Sequence, residues 1–127
     1  MVTPRPFPET VLVVDDTEFM ARVLADMLEA EGYRVAVARD GPEALEIYER
    51  ELPDLVTLDL VMPGMDGLEV LRRLKAMDPA CRVVMVSAVG HEAKVLEAIQ
   101  LGARNYVLKP VDKDKLLATV RKTLDEY

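Results

Sequence analysis

Five short, largely aliphatic segments punctuate the chain, and each stops at or near a polar residue. Val11-Leu12-Val13-Val14 runs into Asp15-Asp16, Leu55-Val56-Thr57-Leu58 into Asp59, Val83-Val84-Met85-Val86 into Ser87, and Tyr106-Val107-Leu108 into Lys109-Pro110. Arg34 to Ala38 makes the fifth. Short apolar runs with little alternation are the signature of strands covered on both faces. Between them the period changes to that of a helix. Met20, Val23, Leu24, Met27 and Leu28 form one stripe, and Gly32 stands where a left-handed C-terminal cap belongs.

The same reading gives four more helices. Asp40 with Glu43, and Asp66 with Glu69, show the spacing of a capping box. The first opens a helix that turns Ala44, Leu45 and Tyr48 inward and closes at Pro53. The second opens one striped by Leu68, Leu71 and Leu74. A fourth helix is predicted from Glu92 to Leu101, ended by Gly102, and a fifth from Asp112 with Leu116, Leu117, Val120 and Leu124 on one face. Alternating strands and helices with short loops predict an α/β fold, a parallel sheet flanked by helices through right-handed crossovers. For five strands in the order 2-1-3-4-5, the topological switch lies between strands 1 and 3, and ligands bind beyond the strand ends there.

Composition adjusts this picture only slightly. With 127 residues the chain has the size of one domain, residues 10–127, preceded by a proline-rich segment over 1–9 that reads as a mobile tail. A net charge of -7 disfavours nonspecific attraction to nucleic acid or anionic membranes. The single cysteine, Cys81, cannot form an internal disulfide, and no run is long enough to span a bilayer. The expected setting is the cytoplasm.

The candidate chemistry sits at the strand ends. Asp15, Asp16 and Asp59 would converge at the switch point, where crowded carboxylates repel and a divalent cation relieves the repulsion. Oxygen ligands without His or Cys nearby select Mg²⁺, with Mn²⁺ as a substitute. Lys109 offers a positive charge beside an anion and Ser87 a hydroxyl donor. Together these groups suit phosphoryl chemistry, with a carboxylate as nucleophile.

Asp15-Asp16, Asp59 followed by Met62-Pro63-Gly64-Met65-Asp66-Gly67, Ser87-Ala88, and Gly102-Ala103 leading to Tyr106 and Lys109-Pro110 resemble the CheY-like receiver domain of two-component response regulators. The resemblance runs from about Thr10 to Leu124 and implies a flavodoxin-like, doubly wound fold. It also implies the roles. Asp59 would accept the phosphoryl group, and Asp16, Asp59 and the Val61 carbonyl would bind Mg²⁺ directly, with Asp15 acting through water. Lys109 would neutralise the phosphoryl group, Pro110 would follow a cis peptide, and Ser87 and Tyr106 would form the switch. Val61 and Val89 resemble positions that flank an attacking water, and being aliphatic they predict slow self-dephosphorylation.

The implied partners are a histidine kinase or phosphotransfer protein and a downstream target. Direct nucleic-acid or membrane binding is not expected, and the protein would be a monomer or a phosphorylation-dependent dimer. It would catalyse its own phosphorylation and dephosphorylation without turning over an outside substrate. A haloacid-dehalogenase-type phosphatase is disfavoured because Val61 replaces the second acid. A flavodoxin-like cofactor site is disfavoured because Asp15-Asp16-Thr17-Glu18 would repel phosphate. A degenerate receiver is disfavoured because every reactive position is filled. Phe19 would either dock a kinase helix or pack on helix 5, and His91 is expected to be exposed near the start of helix 4.

Overall fold

A computed structural model describes residues 8–126 of the chain. Five strands, β1 (Thr10–Val14), β2 (Arg34–Ala38), β3 (Leu55–Asp59), β4 (Val83–Ala88) and β5 (Asn105–Lys109), alternate with five helices. These are α1 (Glu18–Ala30), α2 (Gly41–Glu51), α3 (Gly67–Met77), α4 (Glu92–Gln100) and α5 (Lys113–Asp125). All the pairings are parallel and the order is β2-β1-β3-β4-β5, which is the expected doubly wound sheet.

Side-chain alternation divides the core in two. Leu12, Val14, Val56, Leu58, Val83 and Met85 meet α2, α3 and α4 through residues such as Ala44, Leu71, Leu74 and Ala98. Val11, Val13, Leu55, Val84, Val86 and Val107 meet α1 and α5 through Leu24, Leu28, Leu116 and Val120. Burying each of these valine, leucine and methionine side chains stabilises the fold by about 1.5–3 kcal/mol. The central strands are therefore rigid supports for whatever stands at their ends.

Some details differ from expectation. The fully buried face of α1 consists of Ala21, Leu24, Ala25 and Leu28, while Met20, Val23 and Met27 are only half-buried. The alanines allow α1 to lie close to the sheet. Strand β3 extends through Asp59, and its ladder continues with the Leu60 N–H donating to the Val86 carbonyl at 3.0 Å. Helix α2 ends at Leu52 in the left-handed region, φ 45°, immediately before Pro53. Gly32, at φ 99°, follows α1 as its spacing implied.

Both cap aspartates bond the amide three residues on, Asp40 to Glu43 at 2.8 Å and Asp66 to Glu69 at 3.0 Å. Neither box closes in the reciprocal way. Glu43 accepts from the Arg39 N–H, and Glu69 turns to Arg72 and Arg73. Of the expected tail, residues 1–7 lie outside the described residues. Glu9, at its end, is buried and holds the Arg121 guanidinium through two bonds of 2.8 and 3.2 Å. Among the described residues no helix is long and apolar enough to cross a membrane.

Candidate functional site

The carboxyl ends of β1 and β3 bring the three acids together. One carboxylate oxygen from each of Asp15, Asp16 and Asp59 lies within 4.8 Å of the others. Asp15 and Asp59 continue the alternation of the strand faces covered by α1 and α5, so both are buried. Asp16, one step further, is half-buried. Lys109 at the end of β5 points into the same place, with Nζ 3.3 Å from Asp59 Oδ2 and 3.9 Å from Asp15 Oδ2.

The polar bonding of the cluster is incomplete. Asp15 Oδ1 accepts from the Thr17 N–H at 2.9 Å, but Asp15 Oδ2 is buried without a hydrogen bond. Asp59 Oδ1 has only a long bond, 3.4 Å, from the Val61 N–H. Burial pushes the Asp59 carboxyl above the usual carboxylate range. Lys109 pulls it back down, and the neighbouring Asp15 adds to the rise. An orphaned buried oxygen beside a carboxylate that resists ionisation is the arrangement a hard divalent cation completes. The donor set is entirely oxygen, so the residues fit Mg²⁺ or Mn²⁺ better than zinc.

Two glycines and an arginine hold this ground. A side chain at Gly67 would put its Cβ 2.4 Å from the Asp59 carbonyl oxygen, so only glycine lets α3 start directly under the residue. The Gly67 N–H bonds the Leu60 carbonyl at 3.1 Å. Gly41 leaves room for Met65 from the loop after β3. Arg39, just after β2, donates from Nη2 to the Asp16 carbonyl at 3.0 Å. Sequence reasoning missed Arg39 and named Gly67 only within the motif after Asp59, without a role. Both carried a signal, a cation placed directly after a strand end and a poor helix former at the first position of a helix.

Comparison with known proteins agrees with this geometry. The family model described as the response regulator receiver domain matches residues 11–121. The chain belongs to that family. It is similar to the chemotaxis protein CheY of Bacillus subtilis, 41% identical over 91% of this chain and 97% of that protein. It is 40% identical to sporulation initiation phosphotransferase F of the same organism, over 91% of this chain and 94% of that one. The crystal structure of the receiver domain of NtrX from Brucella abortus superposes with a TM-score of 0.90 at 33% identity, covering 92% and 99% of the two chains.

The remaining receiver positions divide between the site and the face beside it. The Lys109-Pro110 peptide is cis. Ser87 is buried, and its hydroxyl donates to the Ala88 carbonyl at 3.0 Å rather than into the acid cluster. Tyr106 is half-exposed and lines a groove of about 230 Å³ with Ala88, Val95, Leu96, Ile99 and Leu108. Val61 and Val89 are exposed. Phe19 is 72% exposed, so it does not pack on α5. His91 occupies the cap position of α4 but is half-buried, with Nδ1 enclosed and unbonded, which corrects the expectation of exposure. Cys81 is buried and its thiol is pushed up by burial, consistent with an inert role.

Proposed function

We propose that this receiver takes a phosphoryl group from a phosphohistidine of a histidine kinase or phosphotransfer protein onto Asp59, with Mg²⁺, and thereby alters the α4-β5-α5 surface read by a downstream partner. The observation that carries this reading is the convergence of three carboxylates and one ammonium at the carboxyl ends of β1, β3 and β5, with Asp15 Oδ2 left without a hydrogen bond. The relatives named for chemotaxis and for sporulation phosphotransfer support it.

In this reading an Asp59 carboxylate oxygen attacks phosphorus. The new O–P bond forms as the N–P bond of the donor breaks, and the leaving imidazole keeps the electron pair and takes a proton. Bound Mg²⁺ supplies positive charge that offsets the anionic donor among the acids. Asp16, Asp59 and the Val61 carbonyl would hold it, and Asp15 would act through water. Lys109 neutralises the oxygens of the transferred group from the β5 side. Ser87 then leaves the Ala88 carbonyl and donates to the phosphoryl group, and the Tyr106 ring turns toward the space this opens, reshaping the groove on α4 and β5.

The apolar Val61 and Val89 cannot orient a water by hydrogen bonding, so hydrolysis of the acyl phosphate is slow. Exposed Phe19, beside the acid-bearing loop, docks the donor's helix. The protein is a switch that catalyses its own phosphorylation and dephosphorylation, acts in the cytoplasm as a monomer or a phosphorylation-dependent dimer, and binds neither membranes nor nucleic acid itself. Intact-mass measurement after incubation with acetyl phosphate tests the reading. One phosphoryl adduct that forms with Mg²⁺ and does not form in EDTA is expected, and no adduct would refute it.

A further inference from the structure

Arg39 lies outside the acid cluster, yet it fastens the loop that carries Asp16. Its Nη2 donates to the Asp16 carbonyl at 3.0 Å. One residue earlier the Asp15 N–H donates to the Ala38 carbonyl at 3.1 Å, so the last residue of β2 and the residue after it pin two successive residues of the β1–α1 loop. Arg39 is itself anchored. Its N–H donates to Glu43 Oε1 at 2.7 Å, and the Glu43 N–H donates to Asp40 Oδ1 at 2.8 Å, which ties the latch to the first turn of α2.

A guanidinium beside a site for a divalent cation works against binding by charge alone. Its exposed position lets water and salt screen that repulsion. The bond it makes is to backbone, and none of the ion pairs among the described residues involves it. Asp16 is the least buried of the three acids, hence the one whose placement the core determines least. We propose that Arg39 is a positioning residue, whose bond to the Asp16 carbonyl fixes the β1–α1 loop so that the Asp16 carboxylate faces the cation, and that this gain outweighs the repulsion. The inference rests on the reading of the cluster as a Mg²⁺ site. Groups one bond removed from metal ligands commonly change affinity by tenfold or more when removed.

The sign of the effect separates position from charge. Calorimetric titration of Mg²⁺ into EDTA-stripped protein should show binding about tenfold weaker in Arg39→Ala, the low end for such outer partners. The deficit should persist in high salt, where any charge effect is screened. Arg39→Lys, which keeps the charge and a donor of similar reach, should recover most of the affinity. In the acetyl phosphate reaction the half-saturating Mg²⁺ concentration should rise by the same factor, while the rate at saturating Mg²⁺ stays unchanged. Equal or tighter binding in Arg39→Ala, with normal binding in the wild type, overturns the inference and leaves the site reading standing. A wild type that binds no Mg²⁺ overturns both.

Discussion

Replacing Asp59 with asparagine removes a charge from a crowded, buried place and should make the cation-free protein more stable. At an effective dielectric constant of about 20, unit charges at the 4.8 Å outer limit of the cluster interact by about 3.5 kcal/mol. Asp15 and Asp16 together therefore oppose the Asp59 charge by about 7 kcal/mol, while Lys109 at 3.3 Å favours it by about 5 kcal/mol. Asp16 and Lys109 are partly exposed, so solvent reduces the difference to about 1 kcal/mol. Relief of desolvation adds to it, for a total gain of about 1–2 kcal/mol, or about 4–8 °C in Tm.

The pH dependence follows from the raised pKa of Asp59. Between its unfolded and folded values the native state binds more protons, so wild-type stability falls as pH rises through that window. The advantage of Asp59→Asn should be full at neutral pH and fade on acidification toward the ordinary aspartate range. Mg²⁺ should invert the order, since a ligand at a hundred times its Kd stabilises the wild type by about 2.7 kcal/mol. Melting in EDTA and in Mg²⁺ across pH is the assay. An Asp59→Asn variant that melts at or below wild type in EDTA at neutral pH would refute the electrostatic reasoning.

Three other perturbations have clear outcomes. Thr57 is fully buried in β3 with its hydroxyl unbonded, so Thr57→Val should raise the urea midpoint by an amount equivalent to about 1 kcal/mol without changing the slope. Gly67→Ala would drive a methyl into the Asp59 carbonyl, and chemical denaturation should show a loss of about 3 kcal/mol together with slower phosphorylation. Introducing polar groups with Val61→Asn and Val89→Glu should shorten the phosphoryl lifetime roughly tenfold, about 1.4 kcal/mol in barrier, followed as decay of the adduct after acetyl phosphate is removed. An unchanged lifetime would count against the role assigned to the two valines.

The strand cores and helix stripes were legible because burial on both faces leaves an uninterrupted aliphatic signature, and five such runs with helices between them admit few topologies. The acid cluster was legible for a related reason. Each charged residue stops a run that could not otherwise end there, and the switch point of the sheet says which ends meet. Less visible were features set by backbone pairing and close approach. The end of β3 depends on the Leu60 N–H reaching Val86, not on hydrophobicity, so counting apolar residues stopped one position short of Asp59. Ranking large side chains hid Ala21 and Ala25, whose small size sets how near α1 lies. Arg39 follows a strand end, but its partner is a main-chain oxygen 23 positions away, so its place in the sequence alone does not say what it holds.

The most direct test of phosphoryl transfer to Asp59 is chemical trapping. After reaction with acetyl phosphate and Mg²⁺, borohydride reduces an aspartyl phosphate to homoserine, and peptide mass spectrometry locates the change. Conversion at position 59, dependent on Mg²⁺ and missing from Asp59→Asn, is the predicted result. Conversion at Asp15 or Asp16 instead, or no conversion under conditions where the donor is intact, would contradict it.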